Sequence, residues 1–260
     1  DIRQQVEAGA EHITFGDPDF FNGPGHALKL VESFHQEFPN LTYDVTIKIE
    51  HLLAHREKLR LLAETGCLFV TTAVEEVDDD VLSRLEKSHT RADFKEVVCA
   101  TNAAELILSP TFIPFHPWTT TYGFVDLLSM ISELDLIENV SPVQLGIRLL
   151  IPEGSRILEL KDINQFLADF DAKKLSYNWK SAYPLADDLQ TKVYKEIQLG
   201  VSEGSSRRKI FEKVWILAHN ACEQSVPGLP PECAESNPVP TMSEPWYCCA
   251  EPTDEQVAGM

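Results

Sequence analysis

The fold of this chain is decided by the run Gly66-Cys67-Leu68-Phe69-Val70-Thr71-Thr72-Ala73-Val74-Glu75. Residues 68–74 carry no charge and are all apolar or β-branched, which is typical of a strand that is buried on both faces of a sheet. Amphipathic patterns of helical period lie on either side of this run, at 52–65 and 80–87. A buried strand between two such patterns predicts a parallel sheet that is covered by helices.

The same alternation extends through the first 160 residues. Further strand-like runs occupy 12–16, 43–50, 106–114 and 143–151, and further helical patterns occupy 27–38, 92–103 and 122–136. These units predict an α/β fold, which is either a doubly wound sheet or a complete or partial barrel of parallel strands.

Polar or irregular clusters follow the predicted strands, and they favour the barrel. Gly16-Asp17-Pro18-Asp19 follows the first strand, Glu75-Glu76 ends the third, and Phe115-His116-Pro117-Trp118 follows the fourth. In parallel barrels the carboxyl ends of the strands carry the active site, so these clusters would surround one mouth.

The pattern changes after residue 160. Helices are predicted at 162–170, 187–199 and 209–222, and frequent prolines from 226 onward exclude regular structure. We therefore expect a partial barrel at 1–160, a helical extension at 161–225 and an extended Pro/Cys-rich tail at 226–260.

Charge and composition restrict the class of partner. The chain has 41 acidic and 22 basic residues, a net charge of −19 that repels phosphate backbones and argues against nucleic acid as a partner. A small substrate, or a protein with a basic patch, fits better. No apolar run is long enough to span a membrane, and six cysteines without a signal-peptide pattern predict a reducing cytoplasm. No glycine-rich phosphate loop, nucleophile elbow or helical two-histidine metal motif is present.

Individual side chains at the predicted mouth are candidates for ligand binding. Asp17 would bind an amine, a hydroxyl or a metal, although Asp beside Pro is also favoured in plain turns. Glu75 is suited to accept hydrogen bonds from ribose hydroxyls. His116 lies in an aromatic loop and is more often structural than catalytic, whereas Lys87 is best explained by the helix dipole. Arg148 lies in an apolar run and needs a partner, either a ligand carboxylate or a neighbouring acid.

Two adjacent cysteines, Cys248 and Cys249, are unsuited to stapling a fold. Neighbouring Cα atoms lie about 3.8 Å apart, closer than in a relaxed disulfide. Such a pair suits redox chemistry or the binding of a soft metal. A zinc or iron–sulfur site that adds His219, Cys222 and Cys233 is the second interpretation, and inert cysteines are the third.

These motifs together resemble the radical S-adenosylmethionine (SAM) enzymes. The resemblance rests on the strand that ends at Glu75, on Asp78-Asp79-Asp80-Val81-Leu82, on Lys87-Ser88-His89-Thr90 and on the strand and loop at 111–120. The run Cys248-Cys249-Ala250-Glu251-Pro252 is similar to the tail of the CUAEP/CCAEP-tail radical SAM proteins.

The resemblance implies a partial (βα)6 TIM-like barrel. A 4Fe-4S cluster would be held by a Cys-x3-Cys-x2-Cys loop, and SAM would be cleaved reductively to a 5′-deoxyadenosyl radical. Glu75 would bind the SAM ribose, Asp17 the amino group, and Phe112 and Ile113 the adenine, with Arg148 as a further cofactor-binding candidate. The substrate would be a small molecule or a peptide, the electron donor a flavodoxin or ferredoxin, and Cys248 and Cys249 would take part in turnover.

The chain also departs from the family pattern. It contains no Cys-x3-Cys-x2-Cys loop, so we expect a fragment that begins after that loop. The family's Gly-Gly-Glu motif is replaced by Phe15-Gly16-Asp17. The alternative is a non-radical βα-barrel enzyme, or a module that binds a soft metal or metalloid through the tail cysteines.

Overall fold

The computed structural model describes residues 1–231, 239–240 and 250–252. The chain forms two compact units. The first contains Asp1–Val74 and Ser88–Thr111, and the second contains Glu75–Lys87 and the described residues from Phe112 onward.

The described residues form six strands and nine α-helices. The strands are β1 (His12–Thr14), β2 (Thr42–Thr46), β3 (Cys67–Glu75), β4 (Ile107–Phe112), β5 (Leu167–Asp171) and β6 (Ser176–Trp179). The helices are α1 (Ile2–Glu7), α2 (Pro24–Glu37), α3 (Ile49–Ala54), α4 (Leu59–Glu64), α5 (Asp79–Arg84), α6 (Arg91–Ala103), α7 (Thr121–Glu133), α8 (Pro184–Ser202) and α9 (Arg207–Ala221).

The first unit is built on a parallel sheet with the strand order β1-β2-β3-β4. Ile13 of β1 lies opposite Tyr43 of β2, and Val45 of β2 lies opposite Val70 of β3. Each consecutive pair of strands is joined through helices, as the alternation of apolar runs predicts. The predicted α/β fold with parallel strands is therefore confirmed.

The Tyr43 hydroxyl and the Cys67 thiol are among the polar groups that are buried near β2 and β3. The Tyr43 hydroxyl lies 2.8 Å from Thr65 Oγ1, and the Cys67 thiol donates to the Phe69 carbonyl oxygen at 3.4 Å. Burial raises the pKa of both groups above their ordinary values. Both groups are therefore held in the neutral form.

The second unit contains α5, α7, α8, α9 and an antiparallel hairpin of β5 and β6. The helix predicted at 162–170 is wrong, because a short 3₁₀ helix, Ile163–Gln165, leads directly into β5. After β5, the Asp171 carboxylate accepts a hydrogen bond from the Lys173 amide, and Leu175 has a left-handed backbone. This local turn reverses the chain into β6 and overrides the helical pattern.

The strand predicted at 143–151 is shorter in the structure. Pro142–Gly146 is a 3₁₀ helix that begins on a proline. Extended pairing begins only at Ile147, where Phe115 bridges Arg148 in the parallel direction.

None of the helices in the described part of the chain is long and apolar enough to cross a membrane.

Candidate functional site

The carboxyl end of β3 holds a buried acid in an unusual backbone conformation. Glu75 has a φ of 67°, in the left-handed region that non-glycine residues seldom occupy. Its side chain is only 9% exposed, and its Oε1 atom lies 2.7 Å from Lys87 Nζ. Its carbonyl oxygen accepts a hydrogen bond of 2.8 Å from the Ile113 amide. Strain of this kind costs about 1–3 kcal/mol and is concentrated at functional sites.

Helix α5 and the turn that follows it bring Lys87 to this acid. Asp78 caps the helix, since its Oδ1 accepts hydrogen bonds from the Asp80 and Val81 amides. After the helix, Glu86 has a φ of 52°, and the Lys87 amide donates to the Leu82 carbonyl oxygen at 2.9 Å. The tight turn directs the lysine side chain back to the end of β3. Sequence reasoning assigned this lysine to the helix dipole and missed the contact.

A second acid at the same strand end pairs with a histidine. Glu76 and His116 are 6% and 2% exposed, and Glu76 Oε2 lies 3.3 Å from His116 Nε2. The other carboxylate oxygen accepts a hydrogen bond of 2.7 Å from the Val77 amide. The His116 amide donates to Thr119 Oγ1, which in turn donates to the Pro114 carbonyl oxygen. The loop therefore fixes the imidazole against the carboxylate.

His116 Nδ1 has no hydrogen-bond partner among the described residues. Its ring lies beside Trp118, with 5.7 Å between the ring centroids. A buried imidazole nitrogen without a partner is uncommon and costly, so this atom is a further candidate for contact with a ligand.

The predicted adenine-binding residues lie next to Glu75. Phe112 is fully buried and Ile113 is 6% exposed. The Phe112 amide donates to Gln144 Oε1 at 3.2 Å, and Ile113 is joined to Glu75 through the backbone hydrogen bond. The structure thus brings Glu75, Phe112 and Ile113 together, and their roles toward SAM stay predictions.

The first unit carries an acidic turn after β1. Asp17 is exposed, and its Oδ1 accepts a hydrogen bond of 3.0 Å from the Asp19 amide. Asp19 is 5% exposed, and its Oδ2 lies 2.7 Å from His51 Nδ1 and 3.8 Å from Lys48 Nζ. The Asp19 and His51 atoms are close together but do not have the geometry of a hydrogen bond. Asp19 is therefore the acid that this turn buries, and Asp17 shapes the turn.

Arg148 has partners from this chain on three of its nitrogens. Nε donates to Glu251 Oε2 at 2.9 Å, Nη1 to Asp187 Oδ1 at 3.0 Å and Nη2 to the Trp179 carbonyl oxygen at 2.9 Å. The guanidinium carbon also lies 3.8 Å from the centroid of the Trp179 ring. Asp187 and Glu251 are thus neighbouring acids that pair with Arg148. A cofactor-binding role for Arg148 stays a prediction.

Ala250 and Glu251 of the tail pair with the extended segment that contains Arg148. Ala250 bridges Leu149 in the antiparallel direction, and the Glu251 amide donates to the Arg148 carbonyl oxygen at 2.9 Å. Cys248 and Cys249, the predicted catalytic residues, lie outside the described residues.

The described residues do not fit an iron–sulfur cluster, which needs several cysteine thiolates. Within the described ranges, no group of three or more His, Cys, Asp or Glu side chains is placed to hold a metal ion. The end of β3 does fit one part of SAM. Lys87 bonds to one oxygen of the buried Glu75 carboxylate, and a carboxylate has the capacity to accept further hydrogen bonds from ribose hydroxyls.

Comparison with solved structures identifies the fold. The cobalamin-dependent SAM radical enzyme OxsB, with aqua-cobalamin and SAM bound, aligns with a TM-score of 0.62 at 13% identity over 76% of this chain. OxsB with aqua-cobalamin bound aligns with a TM-score of 0.60 at 12% identity, also over 76% of this chain. The fold of this chain is similar to that of OxsB. This chain spans only 36% of the length of OxsB with both ligands bound.

A weaker likeness is to the radical SAM methyltransferase TsrM from Kitasatospora setae, with a TM-score of 0.46 at 17% identity over 52% of this chain and 26% of TsrM. No protein-family profile matches the sequence. No curated protein matches it either.

Proposed function

We propose that this chain forms the SAM-binding part of a radical SAM enzyme that acts on a small molecule or a peptide. The observation that carries the proposal is the buried Glu75 carboxylate, held at the end of β3 in a left-handed backbone conformation and paired with Lys87. The likeness of the fold to OxsB, whose structure contains SAM, supports this assignment.

In this proposal Glu75 accepts hydrogen bonds from the two ribose hydroxyls of SAM. Lys87 holds the carboxylate in one orientation, and the backbone hydrogen bond to Ile113 keeps the strand end in place. Phe112 and Ile113 supply the apolar wall for adenine. A desolvated carboxylate strengthens each of these electrostatic contacts.

A 4Fe-4S cluster, when bound, would supply the electron for the reductive cleavage of SAM. We propose that a Cys-x3-Cys-x2-Cys loop, which the given sequence does not contain, holds the cluster, and that a flavodoxin or ferredoxin supplies the electrons. Cys248 and Cys249 take part in turnover by binding the substrate. We also propose that this chain belongs to the CUAEP/CCAEP-tail subgroup of radical SAM proteins.

The test uses the full-length protein, reconstituted anaerobically with iron and sulfide. We expect SAM to bind and 5′-deoxyadenosine to form when a strong reductant is added. Glu75→Gln should weaken SAM binding about tenfold or more, since a charge-assisted hydrogen bond is replaced by a neutral one.

Glu105→Gln is the matched control. Glu105 also has a left-handed backbone, with a φ of 58°, and also forms an ion pair, at 2.6 Å from Arg60. Its substitution should leave SAM binding unchanged. If a cluster assembles but SAM is neither bound nor cleaved, the proposal fails and the alternative of a non-radical barrel enzyme is favoured.

A further inference from the structure

Three contacts oppose relaxation of the left-handed backbone at Glu75. Lys87 Nζ lies 2.7 Å from the Glu75 carboxylate, and the Ile113 amide donates to the Glu75 carbonyl oxygen at 2.8 Å. The third contact is made by the next residue, Glu76, whose carboxylate lies 3.3 Å from His116 Nε2. Rotation of φ at Glu75 toward the extended region would turn its side chain, its carbonyl group and Glu76 together, relative to the strand before them. Each contact therefore opposes that rotation, and a strained conformation persists only where the surrounding structure fixes it in this way.

Of the two side-chain pairs at this strand end, Glu76 and His116 form the more deeply buried one. The side chains of His116 and Glu76 are 3% and 7% exposed, whereas those of Lys87 and Glu75 are 30% and 9% exposed. Glu76 Oε1 also accepts a hydrogen bond of 2.7 Å from the Val77 amide, so both carboxylate oxygens have a partner. Turning Glu76 would leave buried polar atoms without partners, which is costly.

The loop that carries His116 is itself fixed. The His116 amide donates to Thr119 Oγ1, and the Thr119 hydroxyl donates to the Pro114 carbonyl oxygen, both at 2.9 Å. Phe115 forms a parallel bridge with Arg148. The loop is therefore anchored on both sides of the imidazole, which allows His116 to hold Glu76 in place.

We propose that His116 is a positioning residue for SAM, which acts by holding Glu75 in its left-handed conformation through Glu76. The proposal rests on the proposed function, in which the Glu75 carboxylate binds the ribose of SAM. Ile113 and His116 belong to one segment, so this segment contacts the strand end twice, at the Glu75 carbonyl oxygen and at the Glu76 carboxylate. When the second contact is lost, the backbone relaxes and the Glu75 carboxylate turns away from the ligand. A binding group has to be held within about 0.5 Å of its productive position by supporting contacts of this kind.

The first test is amide-resolved hydrogen exchange on the full-length protein without SAM. The Ile113 amide is the reporter, because its hydrogen bond to Glu75 breaks when the backbone relaxes. His116→Phe should raise its exchange rate about tenfold, and Glu76→Ala, which removes the other half of the pair, should do the same. The matched control is His219→Phe, since His219 is also buried but lies on α9. It should leave the exchange rate of the Ile113 amide unchanged.

The second test is the SAM affinity of the full-length protein, reconstituted anaerobically with iron and sulfide. His116→Phe should weaken SAM binding about tenfold in the wild-type background and should have no further effect in a Glu75→Ala background. A residue that acts only through Glu75 has nothing to position once that carboxylate is removed. His219→Phe should bind SAM as the wild type does. An equal loss of affinity in both backgrounds would mean that His116 acts on SAM by another route, either a direct contact or a general loss of structure, and would overturn the proposal.

The two measurements separate this inference from the proposed function. If the wild type does not bind SAM, the proposed function fails and the role of His116 toward SAM fails with it. If the wild type binds SAM but neither the Ile113 exchange rate nor the SAM affinity responds to His116→Phe and Glu76→Ala, only the positioning role is overturned. Faster exchange with unchanged SAM affinity overturns the positioning role as well.

Discussion

Lys87 Nζ lies 2.7 Å from Glu75 Oε1, and the two residues are brought together across helix α5 by the left-handed turn at Glu86. The acid is 9% exposed and the lysine 30% exposed, so the pair is partly shielded from water. Twelve positions separate the two residues in sequence. The pair is therefore a tertiary contact, and removing it should change the stability of the protein and its affinity for SAM.

Lys87→Met should destabilise the protein and weaken SAM binding. Methionine keeps much of the length of the side chain but removes the ammonium group, which leaves Glu75 buried without its cation. We expect a loss of about 1–3 kcal/mol in the free energy of unfolding, measured by urea denaturation. The control is Lys213→Met, since Lys213 pairs with Glu196 at 2.5 Å and is similarly exposed. An equal loss of SAM affinity in both variants would contradict a local role for Lys87.

The backbone at Glu75 should reverse the usual order of glycine and alanine. Both Glu75→Gly and Glu75→Ala lose the ion pair, but only glycine accepts a φ of 67° without steric cost. We therefore expect Glu75→Gly to be more stable than Glu75→Ala by about 1 kcal/mol, measured by urea denaturation. If alanine is the more stable of the two, Glu75 is not strained.

Local patterns predict much of this fold but few of its long-range contacts. The uncharged run at 68–74 predicts β3, because burial on both faces demands continuous apolar side chains. The Lys87–Glu75 contact depends on a turn whose left-handed residue is a glutamate, and sequence alone provides no signal for that conformation. Leu149 and Ala250 are about a hundred residues apart, so no local periodicity reports their pairing. The sequence predicts the acidic turn of Asp17 and Asp19. Which of these two acids is buried depends on contacts with His51 and Lys48.

His116→Phe should destabilise the protein through Glu76. An aromatic ring is retained, but the buried Glu76 carboxyl group loses its hydrogen-bond partner, and leaving a buried polar group without a partner costs about 1–3 kcal/mol. The double variant with Glu76→Gln should recover part of this loss, so a double-mutant cycle will show coupling of at least about 1 kcal/mol. His26→Phe, at an exposed histidine, is the control. Additive effects would show that the two side chains do not interact.

The buried thiol of Cys67 should make stability fall as the pH rises. Desolvation, followed by the nearby charge of Asp44, raises the pKa of this thiol, so the folded protein retains a proton that the unfolded chain releases above about pH 8.5. A group whose pKa is raised on folding stabilises the native state below its unfolded pKa, and this contribution is lost at higher pH. Between pH 8.5 and 10 we expect a loss of about 1.5 kcal/mol. Urea denaturation across this range should show a shallower pH dependence for Cys67→Ala, whatever its absolute stability, and an unchanged dependence for Cys99→Ala, because Cys99 is exposed. The same slope in wild type and Cys67→Ala would exclude Cys67 as the source.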